Sequence, residues 1–293
     1  VKKGLLLSDA LNRHPGVFNN LYISLVKAGE VSGKLAVTLE ELSQYLESVE
    51  DTQRKVKSAM YYPVFILFFL GMVLVVLFAF IIPQFNSVYQ QLNAELPVYT
   101  QMLLNAGEWL SNNLFNFFVS IFIFFISLWL IFLTDKGRLF RDNFFLRVPI
   151  FGKIINQNVL SKFGKTFGIL VGSGVPVLDT MHLNQKVVDN RVYELAIKKS
   201  AKHIENGSSI SDALKLSGLF PGVFIQLMQT GEETGEIDKL SLKISEFYAK
   251  QVNATVDRLT SIIEPALIIL IGAVVGIILI AVYMPIFKFG SAF

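Results

Sequence analysis

The 293-residue chain contains no cysteine. A disulfide, a thiolate metal site and a cysteine nucleophile are therefore excluded. Its three histidines, His14, His182 and His203, are scattered without ligand-like spacing, so no metal site is built on them. No Ser–His–Asp arrangement and no carboxylate pair in an evident cleft stands out, which argues against an enzyme. Nowhere does an apolar/polar alternation run long enough to support a sheet. Charge is missing in a structured way. Residues 64–82, 114–133 and 266–284 carry no Asp, Glu, Lys or Arg. Residues 83–113 contain no Lys or Arg, and their only charges are Glu95 and Glu108.

What is present is hydrophobic: 53% of residues, 26 of them Phe, with a mean hydropathy of +0.53. The three uncharged runs are long enough to cross a bilayer core. Eight Lys or Arg lie in residues 1–63 and seventeen in 134–265. The positive-inside rule puts both regions in the cytoplasm and 83–113 on the far side. Lys288, in the outer tail, is the one dissenting charge. The net charge of +3 follows from topology and gives no reason to expect nucleic acid as a partner. The late first apolar run is unlike a signal peptide.

The chain also repeats itself. Residues 18–85 lie over 220–287 without a gap. Gly29-Glu30-Val31-Ser32-Gly33 falls on Gly231-Glu232-Glu233-Thr234-Gly235, Pro63 on Pro265, and Pro83 on Pro285. Ser8-Asp9-Ala10-Leu11 matches Ser211-Asp212-Ala213-Leu214 after a one-residue shift. The expected fold class is all-α: an integral membrane protein with two repeated helical-bundle cytoplasmic domains and three transmembrane helices. The expected division is 1–63, a truncated first repeat; 64–82, first span; 83–113, external segment; 114–133, second span; 134–263, complete second repeat; 264–285, third span; and 286–293, external tail.

Local signals refine this. Ser8 is placed to cap a helix beginning at Asp9. Residues 18–28 form a helix ending at Gly29. Leu35, Leu39, Leu42, Leu46 and Val49 recur at helical spacing, in a helix that continues through Arg54, Lys55 and Lys57. Further helices are expected at 156–172, 177–187 and 190–205, after a turn at 147–152. Gly29-Glu30-Val31-Ser32-Gly33-Lys34 is not a phosphate loop, because its glycine spacing is short by one and Leu35 follows the lysine. It reads as a helix–turn–helix corner. Gly29 and Gly33 supply permissive backbone, Ser32 or Thr234 caps the following helix, and Glu30 and Glu232 accept backbone donors. Tyr62, Pro63, Pro83, Glu264, Pro265 and Pro285 bracket the first and third spans. Glu264 is expected at a helix start, where the dipole favours its charge. Gly272 and Gly276 form a GxxxG pattern for close helix packing.

Taken together, these residues resemble the inner-membrane platform proteins of type IV pilus and type II secretion machines, the secretion F family. The resemblance is carried by the Gly-Glu-x-Ser/Thr-Gly corner in both copies, Tyr62-Pro63, Ile82-Pro83-x-Phe85, Glu264-Pro265 and Pro285-Ile286-Phe287. Phe163-Gly164, Leu170, Gly174-Val175-Pro176 and Leu178 add to it. It implies a non-enzymatic scaffold, without cofactor, in the bacterial cytoplasmic membrane. Its implied partners are a cytoplasmic hexameric assembly ATPase, pilin or pseudopilin transmembrane helices, other inner-membrane machine components, membrane lipid and further copies of itself. Arg138, Arg141, Lys198, Lys199 and Lys202 are the candidate ATPase-facing surface. The alternative reading is a small membrane transporter or channel subunit; an intramembrane protease lacks arranged catalytic residues.

The first copy has no counterpart of helices 156–205 before it. Apolar faces at Leu21, Leu25, Leu35, Leu39 and Leu42 are therefore expected to lack part of their cover, and the chain is expected to be a fragment or a mis-started reading frame. The topology has a direct check, since a cysteine-free chain labels cleanly at introduced sites. Ser111→Cys should react with an impermeant thiol reagent only from the non-cytoplasmic side; labelling only from the cytoplasm would overturn the orientation.

Overall fold

The computed structural model describes residues 6–14, 16–18, 20–31, 33–81 and 98–290. Every regular element among the described residues is helical. In order they are α1 (Leu7–Leu11), α2 (Asn20–Val31), α3 (Leu35–Val76) with a π-helical extension (Leu77–Ile81), α4 (Val98–Asn112), α5 (Leu114–Leu133), α6 (Asp135–Arg147), α7 (Phe151–Gly172), α8 (Val177–Val187), α9 (Arg191–Glu205), α10 (Ile210–Lys215), α11 (Gly222–Thr234) and α12 (Ile237–Gly290). The expected helices over 156–172, 177–187 and 190–205 correspond to α7, α8 and α9. Helices α4 and α6 were not anticipated.

The chain divides into two compact units. One comprises residues up to Val56 together with Asp135–Asp257; the other comprises Lys57–Thr134 and the residues from Arg258 onward. In the first unit, α7 is the central helix. Phe163, Phe167, Tyr193, Phe220 and Phe224 are all buried in one core cluster. Their rings meet at geometries favoured by the aromatic quadrupole, such as Phe163 edge-on to Phe220 with centroids 5.3 Å apart. Helix α9 shows why these segments are helical. Asn190 adopts an extended backbone and its side chain accepts from the Val192 and Tyr193 N–H groups, satisfying two of the orphan donors at a helix start. Tyr193, Ala196, Ile197, Ser200 and Ala201 then turn one face inward.

A seam of small and polar residues joins α7 to α12. A β-carbon on Gly164 would stand 2.8 Å from the Ser241 carbonyl oxygen, and one on Gly168 would stand 2.8 Å from that of Asp238 and 2.9 Å from Leu242 Cγ. Along the same stripe of α7, Ser161 Oγ donates to the Ser245 carbonyl at 3.0 Å and Gln157 Nε2 donates to Gln251 Oε1 at 2.8 Å. Thr255 Oγ1 donates to Gln157 Oε1 at 2.9 Å. The two backbones approach because the stripe carries no bulk, and its polar groups bond across the gap.

On another face of α7, Ile169 and Leu170 pack with Leu21, Leu25, Leu42 and Tyr45 from α2 and α3. This corrects the expectation of uncovered faces. Leu21, Leu25 and Leu42 are only 1–3% exposed, because α7, with Leu183 and Val187 of α8, supplies the cover. Leu35 and Leu39 are half-buried.

In the second unit, no residue of α5 is buried, and Phe122, Phe124 and Phe125 face outward. Three helices among the described residues are long and apolar enough to cross a membrane: Leu35–Phe80, Leu114–Leu133 and Ile237–Ile280. Their chemistry suits a hydrocarbon solvent, where every backbone polar group must be satisfied within the helix. The span-bracketing prolines that are described fall within continuous helices. Pro63 lies inside α3, and Pro265 and Pro285 lie inside α12, which runs on to Gly290. Pro83 is outside the described residues. A proline removes one i→i−4 bond and strains one turn, a local defect that a long helix in lipid absorbs because no alternative backbone pairing exists there.

Gly168→Ala should lower the stability of the full chain in detergent by about 1–3 kcal/mol, as overpacking does, and should reduce the apparent Tm accordingly. Gly172→Ala, whose added carbon would meet Asp238 at 3.6 Å, should be close to neutral. Equal effects of the two substitutions in the same thermal scan would contradict the seam.

Candidate functional site

The corner at Gly29–Gly33 is built by two glycines with different duties. Gly33 has φ +68°, a left-handed conformation that a side chain rarely tolerates. It lets the Gly33 N–H donate to the Glu30 carbonyl at 3.3 Å and the Lys34 N–H donate to the Gly29 carbonyl at 2.9 Å, the helix-ending pair of a Schellman motif. Gly29 is an ordinary helical residue within α2, not its C-cap. Its lack of a side chain serves close approach: a β-carbon there would stand 2.9 Å from Thr38 Oγ1 and 3.1 Å from Leu35 Cα. The second corner divides the work in the same way. Gly235 caps α11 at φ 72°, and a β-carbon on Gly231 would be 2.7 Å from Ile237 Cα.

Glu30 and Glu232 look backward, not outward. The Glu30 carboxylate accepts from the Leu7 N–H, from the Ser8 N–H at 3.1 Å and from Ser8 Oγ at 2.6 Å. The Glu232 carboxylate accepts from the Ile210 N–H at 2.8 Å, the Ser211 N–H at 3.3 Å and Ser211 Oγ at 3.0 Å. In each case a buried serine near the start of a short helix bonds to a carboxylate just over twenty residues ahead. The carboxylate satisfies orphan N–H donors and sits at the positive end of that helix. Two expectations are corrected here. Ser8 does not cap a helix at Asp9; it lies inside α1, which starts at Leu7. Thr234 does not cap α12; its hydroxyl donates to the Thr230 carbonyl at 2.7 Å. Ser32 is outside the described residues.

The hydrogen bond from Ser8 Oγ, together with those from the Ser8 and Leu7 amides, holds the Glu30 carboxyl below its ordinary value against the opposing effect of burial. The charged form is thus the one the fold prefers, so this contribution is present above the unfolded carboxylate range and is lost as pH falls through the folded value.

The candidate basic residues separate on inspection. Lys198, Lys199 and Lys202 are exposed on α9, and Arg138 is exposed on α6; these two helices pack together. Arg141 is engaged instead with Asp142 at 2.8 Å and is half-buried. Asp142, itself buried, also accepts from the Arg191 N–H at 2.8 Å, tying α6 to the start of α9. Sequence reading missed this anchor, since neither residue stands out by spacing. Glu264 is exposed inside α12. It is not at a helix start, so no N-terminal dipole favours its charge there. Tyr62 is exposed on α3. Nothing lies within 4 Å of a β-carbon built on Gly272 or Gly276, so that face of α12 is open.

A profile of the family described as Type II secretion system (T2SS), protein F, matches residues 1–83 and 163–285. The chain is 36% identical over 292 residues to the Type IV pilus assembly protein PilC of Myxococcus xanthus, an alignment covering 100% of this chain and 70% of that protein. It is 31% identical over 296 residues to the PilC of Pseudomonas aeruginosa, covering 99% and 78% of the two chains. It is also 31% identical over 291 residues to the Type II secretion system protein F of Vibrio cholerae, covering 99% and 72%.

The two carboxylates differ in backup. Helix α10 has a second cap, since the Ser209 side chain accepts from the Asp212 N–H, whereas Leu6 at the start of α1 supplies none. Glu30→Gln should therefore speed amide exchange across 7–11 more than Glu232→Gln does across 210–215, and should flatten the acid-side loss of protection in 7–11. Equal effects in the two helices would count against this division.

Proposed function

This chain belongs to the type II secretion system protein F family, a family of non-enzymatic platform proteins, and from that membership we propose that it is the inner-membrane platform of a type IV pilus or type II secretion machine. In this reading it couples a cytoplasmic hexameric ATPase to the extraction of pilin or pseudopilin subunits from the bilayer. The observation that carries the proposal is the identity to pilus and secretion relatives over essentially the entire chain.

The physical parts suit that task. The first unit holds both corners around one central helix, which makes it a stiff body able to transmit force. The N-terminal region of the chain and residues 134–263 face the cytoplasm in this reading, with three spans and 83–113 outside. The uncharged spans offer apolar surface to pilin helices, and the open face at Gly272 and Gly276 suits close helix packing with a pilin or a second copy. Lys198, Lys199, Lys202 and Arg138 are the surface assigned to the ATPase, because exposed cations without an internal partner are free to meet an acidic face. Arg141 is withdrawn from that surface by Asp142.

Co-purification of the full chain with its assembly ATPase tests this. Combined Lys198→Glu, Lys199→Glu and Lys202→Glu should weaken the complex and abolish pilus or pseudopilus assembly, while the chain remains folded and membrane-inserted. Intact association and assembly in the triple variant would remove these lysines from the interface. Absence of any ATPase association in the unsubstituted chain would remove the coupling role.

A further inference from the structure

Helix α6 carries a surface that neither the core nor the candidate ATPase face uses. Phe140 and Phe144 are 71% and 56% exposed. They lie four residues apart, with Lys136 one turn before and Arg147 one turn after, all exposed, so the four form a single stripe along the helix. Large aromatic side chains left in water are unfavourable.

Two observations identify what covers it. The first is position. Helix α5 ends at Leu133, and α6 starts at Asp135 after Thr134, whose extended backbone (φ −77°, ψ 147°) breaks the helix. Helix α6 is 13 residues long, about 20 Å, and is tethered by one residue to the end of an apolar span. The second is charge. Both acids of α6 are engaged elsewhere: Asp142 with Arg141 and the Arg191 N–H, and Asp135 with Arg191 at 3.5 Å. The stripe therefore presents positive charge at both ends of an aromatic pair within one helix length of a span end, where juxtamembrane cations are drawn to anionic headgroups and long basic side chains can reach up past buried apolar ones.

We propose that α6 lies in the bilayer interface, with Phe140 and Phe144 at the acyl boundary and Lys136 and Arg147 binding the headgroups of anionic lipids. This rests on α5 crossing the membrane and not on the ATPase reading. It assigns α6 a lipid-seated place, and Asp142 ties it to the start of α9.

The full chain, free of native cysteine, can be spin-labelled singly through Phe140→Cys, Phe144→Cys or Lys199→Cys and reconstituted in vesicles of phosphatidylglycerol and phosphatidylethanolamine. Labels at 140 and 144 should collide with dissolved oxygen and lose collisions with an aqueous nickel chelate. The label at 199 should do the reverse. Adding Lys136→Glu and Arg147→Glu to the Phe144→Cys chain should restore the nickel collisions. The proposal is overturned if 140 and 144 are as open to nickel as 199, or if they are closed to both reagents, which would mean protein covers them. It is equally overturned as a claim about anionic lipid if charge reversal changes nothing. A label at Phe122→Cys reports separately on α5: if it is open to nickel, the membrane reading of α5 falls as well.

Discussion

The close approach of α7 to α12 is the constraint on which the first unit depends. Gly164 and Gly168 remove the bulk that would hold the two backbones apart, and Gln157, Ser161, Ser245, Gln251 and Thr255 bond along the same line. With that face of α7 pressed on α12, its remaining faces are free for other work. Phe163 and Phe167 enter the aromatic core, and Ile169 and Leu170 pack with α2 and α3. One helix thus serves two corners. A larger residue at 164 or 168 would disturb every other contact α7 makes, since rigid close-packed interiors transmit local expansion.

The corners share a second device, a glutamate that reaches back to a short preceding helix. A carboxylate accepting several N–H and O–H donors replaces the water those donors would otherwise hold, and it complements the positive end of the helix. It also ties together segments more than twenty residues apart, which matters for helices too short to stand alone. Helices α1 and α10, of five and six residues, persist because Glu30 and Glu232 finish them. For a platform protein, this means both corners are closed by internal bonds. Surface cations such as Lys198 and Lys202 are exposed and take no part in closing either corner.

Much of this was legible in residue order. The uncharged runs showed the apolar helices, because length and absence of charge are direct requirements of a bilayer. Gly29, Glu30 and Gly33 showed a corner, and their recurrence at Gly231, Glu232 and Gly235 added weight. What residue order hid is which physical reason applied to each residue. Gly29 and Gly33 are the same residue type, yet one permits contact and the other permits a backbone angle. Pro63 and Pro265 were placed at span boundaries, and residue order did not show that the helix runs unbroken through each of them. Glu264 next to Pro265 had the look of a helix start. The cover over Leu21, Leu25 and Leu42 comes from Ile169 and Leu170, and a partner so distant in the chain leaves no local trace. Helix α6 escaped notice because it has no clean amphipathic period.

The central claim is that α7 completes the apolar core of the first corner as well as that of the second. Amide exchange on the full chain carrying Leu170→Ala tests it most directly. Leu170 is fully buried and packs with Leu21, Leu25 and Leu42. The account predicts that residues 20–31 and 35–49 are well protected in the unsubstituted chain and lose protection together when Leu170 is truncated. Rapid exchange of 20–49 in the unsubstituted chain, or protection there that is indifferent to Leu170→Ala, would contradict it.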